Sequence, residues 1–239
     1  MIPVSVPRVR AGTRNRVALG AIAQNDINRL LSFLLVSHIG FMLFGLGVFD
    51  ARGMSGATLY AAHHITVLAT LFLVSGLITR RTGTVALDRM GGLATTSPVL
   101  AVLFAVPALT LAGLPPTAGF VAKLQLLQAG ATAGPGPTAV AAVVIVASLL
   151  TLYALAKVWV LAFWRSPRPT VEDPDPDDEL EVGTAQTPWP MYAATAGLVV
   201  VSLAIAVFAG PLSAVTGRAG ADLVARDGYR VAVLGSGER

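Results

Sequence analysis

The 239-residue sequence has no cysteine, so disulfides, thiolate nucleophiles and cysteine-ligated metals are excluded. Charge is scarce. Asp, Glu, Lys and Arg make up 13% of the chain, about half their share in ordinary soluble domains. No acidic residue sits inside any apolar stretch, which removes an intramembrane aspartyl pair. A phosphate-binding glycine loop is absent, as is any serine, histidine and acid arrangement of the hydrolase kind. The opening MIPVSVPRVRAGTRNR carries positive charge with no apolar run directly after it, so it does not read as a cleaved signal peptide. No cofactor is expected.

What is present is apolar. Hydrophobic residues make up 54% and the mean hydropathy is +0.71, which describes an integral membrane protein whose first partner is the lipid bilayer. The net charge of +4 comes from arginines that flank hydrophobic runs, so it does not point to nucleic acid. Runs of about 20 apolar residues predict spans over 30–49, 57–78, 139–164 and 191–212. A further apolar stretch, 98–114, is followed by 117–130 across a Pro-Pro break. Trp159, Trp164 and Trp189 fall near span ends, where amphipathic rings favour the interface. The fold class expected is all-α, a polytopic transmembrane helical bundle.

The break is the most informative segment. In LAGLPPTAGFVAKLQLL, Pro115 and Pro116 remove backbone donors, while Gly113 and Gly119 let the chain bend. A primary amine, Lys123, follows. Interrupted helices at membrane depth occur where they are buried in protein or line a polar cavity, and an ionisable residue there is a functional-site hypothesis. A helix over 117–130 would measure about 21 Å against a hydrocarbon core of about 30 Å, which favours one broken span and five crossings. Arginine counting leans mildly the other way. Five spans place ten arginines on one side and five on the other, and six spans place twelve and three. Both arrangements put the N-terminus in the cytoplasm.

Lys123 and Lys157 are the two charged side chains inside apolar stretches away from their ends. Lys157 is a second candidate for a proton pathway, and it lies about two turns from Trp164, so its stem can equally reach the headgroup region. His63 and His64 are adjacent near the middle of the second span. Helix positions one apart differ by about 100°, so the two rings do not both face lipid or one common atom. No carboxylate or third ligand stands at useful spacing, so no metal site is expected. A proton relay suits imidazoles, and a hydrogen bond to a neighbouring helix is the structural alternative. The same two readings apply to His38 in the first span. Asp26 and Arg29, three residues apart, read as a helix start. The Pro- and acid-rich stretch 165–188 reads as a solvated loop.

The segments QNDINRLLSFLLVSHIGFMLFGLG, HHITVLATLFLVSG and LAGLPPTAGFVAKLQLLQAG resemble the antiporter-like membrane subunits shared by proton-pumping respiratory complex I, membrane-bound hydrogenases and Mrp-type antiporters. KVWVLAFW and YRVAVLG resemble, more narrowly, the D-type subunits of multisubunit Mrp monovalent cation/proton antiporters. The resemblance covers Leu19 to Leu234. It implies a membrane subunit, among others in a hetero-oligomeric complex at the plasma membrane, that passes protons between lysine, histidine and water sites. It places Lys123 in the family's discontinuous helix, crossing as one span, and His63 and His64 on its histidine-bearing helix. Asn28 and Leu68 stand where members commonly carry lysine or another polar residue. Full-length members have about fourteen spans built from inverted repeats, so the expectation is a C-terminal part. The domain reading is a divergent N-terminal segment 1–18, an antiporter-like membrane part 19–212 and a tail 213–239. Two alternatives stand beside a cation (Na⁺)/proton antiporter subunit. One is a proton-pumping subunit of a complex I-like or hydrogenase-like oxidoreductase, and the other a truncated, non-transporting assembly subunit.

Overall fold

A computed structural model describes residues 20–166 and 189–225 of the chain. The segment 1–18, the acidic stretch from 167 to 188 and YRVAVLG lie outside the described residues. The first long helix, α1 (Ile27–Val48), begins where Asp26 accepts hydrogen bonds from the backbone N–H groups of Asn28 and Arg29, at 2.7 and 3.0 Å. The Asp26–Arg29 pair thus forms a cap. A two-residue turn leads to α2 (Ala51–Thr82), capped by Asp50, whose carboxylate accepts from Gly53 N–H at 2.6 Å. Gly83 closes α2 with φ of 71°, a left-handed conformation suited to glycine.

Segment 84–90 folds back against the start of α1, with backbone bonds from Ile27 to Val85 and from Leu87 to Asn25. A short turn, α3 (Leu93–Thr96), leads into α4 (Pro98–Ala112), then α5 (Ala118–Thr132) and α6 (Pro135–Val158). The last continues as a π-helical stretch, Trp159–Trp164. Beyond the undescribed stretch come α7 (Trp189–Val207) and α8 (Ala209–Val224). Among the described residues no strand forms, apart from an isolated bridge between Asp26 and Ala86.

The predicted spans recur with shifted ends. The largest difference is at the C-terminal end, where the span expected over 191–212 stops at Val207 and helix α8 runs through the expected boundary at 212. Pro211, in the first turn of α8, has no N–H to offer Val207, so the helix breaks there and restarts. Packing then holds α8: Ser55 and Thr216 hydroxyls bond at 2.9 Å, and Gly220 lies against the Ala51 carbonyl with no room for a Cβ.

The longest helix, α2, is the centre of the bundle and packs against α1, α4, α5, α7 and α8. One end of the bundle gathers the start of α1, the end of α2, the start of α4 and the start of α7. Gly92 N–H, in the 84–97 segment at this end, also bonds the Arg165 carbonyl that follows α6. The opposite end holds the α1–α2 turn, the end of α5 and α8. The pair α4–α5 therefore runs from one end of α2 to the other. Each half is about 22 Å long at 15 residues, so neither alone matches a bilayer core. Together they have the length of one broken crossing, which stands beside four helices among the described residues that are long and apolar enough to cross alone.

Candidate functional site

The interior divides into two apolar clusters. On α1 the first ends at Leu34 and the second begins at Phe41; on α2 the changeover lies between Tyr60 and Val67; on α6 it lies between Ala147 and Ala154. The residues left between them are polar. Ser37, His38, His63, His64, Thr151 and Lys123 are all buried. Four elements thus contribute to one polar layer across the middle of the bundle.

The chemistry of the helix break follows from its sequence. In a continuous helix, the carbonyls of Leu111 and Ala112 would accept from the N–H groups of residues 115 and 116. Both of those residues are proline and have no N–H. Gly113 turns the chain away with φ of 83°. The two carbonyls are taken instead by Lys123, whose Nζ donates to Leu111 at 3.0 Å and to Ala112 at 2.8 Å. A cation at a helix C-terminus is also favoured by the macrodipole. The lysine is 6% exposed, and its ammonium stands 5.4 Å from the centroid of the Phe41 ring, within reach of a cation–π attraction.

Glycine is required beside it. A Cβ on Gly113 would come within 2.9 Å of the Lys123 side chain, and one on Gly119 would strike the Thr110 carbonyl and come within 2.9 Å of His63 Nε2. His63 is therefore packed against the start of α5, next to the break.

The three histidines are held differently. Thr151 spends its one hydroxyl proton on the Ala147 carbonyl at 2.8 Å, so it accepts from His38 Nε2–H at 3.0 Å. Tyr60 O–H then donates to His38 Nδ1 at 2.9 Å. Both ring nitrogens of His38 are occupied, and the residue ties α1 to α2 and α6. His63 and His64 are different: the Nε2 atom of each is buried with no hydrogen-bond partner. The His64 ring lies 5.3 Å from that of His38 and 5.9 Å from Tyr60. Ser37 and Thr117 hydroxyls are likewise buried and unpartnered. Buried polar atoms of this kind call for water or a proton-bearing group.

Lys157 stands apart from this layer. Its ammonium donates to the carbonyls of Ile22 and Gln24, both at 2.8 Å, and fastens the chain ahead of α1 to α6. Tyr60, Thr151 and Phe41 also contact the layer and were not singled out from the sequence. Tyr60 was the readable one, since it lies one turn before His63 and His64 on the same face. A lone threonine on α6 gives no such signal. Among the described residues no group of three or more His, Asp or Glu gathers as metal ligands would. Lys123 also forms part of the wall of a cleft of about 260 Å³ between α5 and α6, with Gly113, Phe120, Ser148 and Leu149.

The chain is similar to known subunits of membrane complexes. Residues 17–151 match the family described as NADH:quinone oxidoreductase/Mrp antiporter, TM. The D-type subunit of the Na(+)/H(+) antiporter of Alkalihalophilus pseudofirmus is 42% identical over 154 residues, covering 64% of this chain and 31% of that protein. An N-type subunit of the NADH-quinone oxidoreductase of Solidesulfovibrio magneticus is 42% identical over 111 residues, covering 46% and 24%. Among solved structures, the Mrp complex from Dietzia sp. DQ12-45-1b contains a chain that superposes with a TM-score of 0.79 at 33% identity, covering 94% of this chain and 48% of that one. The chain thus spans about a third or less of the curated relatives it matches. With more than half its residues matched, it belongs to the NADH:quinone oxidoreductase/Mrp antiporter transmembrane family.

Proposed function

We propose that this chain forms part of a monovalent cation/proton antiporter subunit, in which Lys123 exchanges a proton with His63 and His64 across the polar layer. The carrying observation is the pair of backbone carbonyls, freed by Pro115 and Pro116, that hold the Lys123 ammonium in the same buried layer as two histidines with unpartnered Nε2 atoms. Neutral imidazole accepts and donates a proton without a large change of geometry. Water bridging the unpartnered Ser37, Thr117, His63 and His64 atoms would join these sites into a path. A cation arriving near Lys123 would then repel the ammonium and push its proton onward, which couples the two ions electrostatically.

In this reading His38 positions the layer through Tyr60 and Thr151, and Lys157 anchors the bundle. The partners are further membrane subunits of a hetero-oligomeric complex, and Na⁺ is the cation suggested by the relatives' names. Arg29, Arg80, Arg81, Arg89 and Arg165 gather at one end of the bundle, against Arg52 and Arg218 at the other. By the positive-inside tendency, the first end faces the cytoplasm of a plasma membrane. A proton-pumping role in an NADH-quinone oxidoreductase is the second reading, favoured by the 42% identity to an N-type subunit of such an enzyme.

The test is Lys123→Ala in the assembled complex, with cation-driven pH change followed by a fluorescent dye in membrane vesicles. Exchange falls to background while the variant still co-purifies with its partners. Unchanged exchange with intact assembly would remove Lys123 from the path.

A further inference from the structure

A second cleft, of about 390 Å³, lies at the Arg-rich end of the bundle, well away from the polar layer. It forms where three helix ends converge: Arg81 in the last turn of α2, Thr96, Ser97 and Val99 at the start of α4, and Tyr192 in the first turn of α7. Among the described residues, none that lines it is acidic. Convergent helix ends lie at the membrane–water boundary, and the exposed Trp189 beside Tyr192 on α7 fits the aromatic belt there.

The cleft is built for an anion by three separate features. Helix α4, 15 residues long, points its N-terminus into it, and that end of a helix carries partial positive charge. Pro98 opens the helix and Ser97 makes no side-chain cap bond to it, so the first N–H groups are not satisfied by the usual hydroxyl. Ser97 itself is 7% exposed, lines the cleft and bonds its hydroxyl to no described group. A serine at a cap position normally turns its oxygen onto the helix; here the hydroxyl is left to serve a group in the cleft. Arg81 adds a guanidinium with a fork of donors matched to phosphate oxygens.

The occupant is set by the rim. Val99 is 62% exposed on the outer face of α4, and Leu100 and Tyr192 also line the cleft. A free inorganic anion has no use for such apolar surface, whereas a lipid chain descending from a phosphate does. We infer that this cleft binds the phosphodiester of an anionic phospholipid, with Arg81, the Ser97 hydroxyl and the α4 N-terminus on the phosphate and the acyl chain along Val99. Basic pockets between transmembrane helices commonly hold such head groups.

Native mass spectrometry of the detergent-purified 239-residue chain tests this directly, with phosphatidylglycerol and phosphatidylcholine supplied in equal amounts. The wild type retains phosphatidylglycerol in preference. Arg81→Gln lowers its affinity about fivefold, the effect of one basic side chain at a membrane surface, and Ser97→Ala lowers it by a smaller factor. Arg52→Gln, at the opposite end of the bundle, leaves it unchanged. Arg81→Lys keeps the charge without the fork and binds between the wild type and Arg81→Gln, which separates loss of the site from loss of the fold. Equal retention of the two lipids, or full retention by Arg81→Gln, overturns the assignment. Displacement of the lipid by millimolar inorganic phosphate overturns the lipid as its occupant.

Discussion

At the scale of single residues, the polar layer is specified by what each side chain has left to bond. Lys123 has both of its acceptors from the backbone, a pairing that needs no acidic partner, in keeping with spans that have none. His38 has both nitrogens occupied, so its role is to hold Tyr60 and Thr151 in register. Tyr60→Phe removes the proton donated to His38 Nδ1 while keeping the ring stacked on Phe41 at 5.3 Å. The variant is expected to lose about 0.6 kcal/mol, the average worth of a hydrogen bond between membrane helices, and no more than about 1.7. Unfolding in detergent with added dodecyl sulfate measures this, and wild-type stability in Tyr60→Phe would show that the bond is idle. His63 and His64 were visible in the sequence as neighbours on a helix. What separates them from His38 was not visible, because it depends on hydroxyls brought in from α2 and α6.

At the scale of elements, the broken helix shows how far spacing alone carries the argument. Two prolines at 115 and 116, a glycine at 113 and a lysine at 123 were legible as a break with an amine beside it. The link between them is a register rule: the four-residue offset of helical bonding makes the carbonyls of Leu111 and Ala112 the two that the prolines orphan. Lys123 reaches back over its own half-helix to those same two atoms. Restoring the donors should therefore compete with the lysine. In Pro115→Ala/Pro116→Ala, α4 can extend and reclaim both carbonyls, each bond being worth about 0.5 to 1.5 kcal/mol. Cation/proton exchange should then fall on the order of tenfold or more with Lys123 still present, as such energies imply. Full exchange in the double variant would mean that the freed carbonyls are not what hold the ammonium. The end of α7 was less legible. Its apolar run continues past Phe208 without a change of composition, and a single proline in the next turn decides where the helix stops.

At the scale of the whole molecule, two apolar clusters enclose a polar layer, and the layer sits where the broken helix exposes its carbonyls. This arrangement requires α4 and α5 to share one crossing, so that their junction falls at mid-membrane. If each half crossed alone, the junction would lie at a surface and Lys123 would need no buried acceptors. Charge counting could not decide between these cases, since the arginines lie at the ends and the choice depends on which end of α2 each half-helix meets. The lack of cysteine makes the question directly measurable. Single substitutions Thr95→Cys, ahead of α4, and Ala133→Cys, after α5, place one thiol at each exposed end of the broken helix, and Arg52→Cys marks the α1–α2 turn. A membrane-impermeant maleimide applied to sealed, oriented vesicles should label Ala133→Cys together with Arg52→Cys from one side, and Thr95→Cys only from the other. Labelling of Thr95→Cys and Ala133→Cys from the same side would mean that α4 and α5 form a hairpin, and the mid-membrane position of Lys123 would be lost with the fifth crossing.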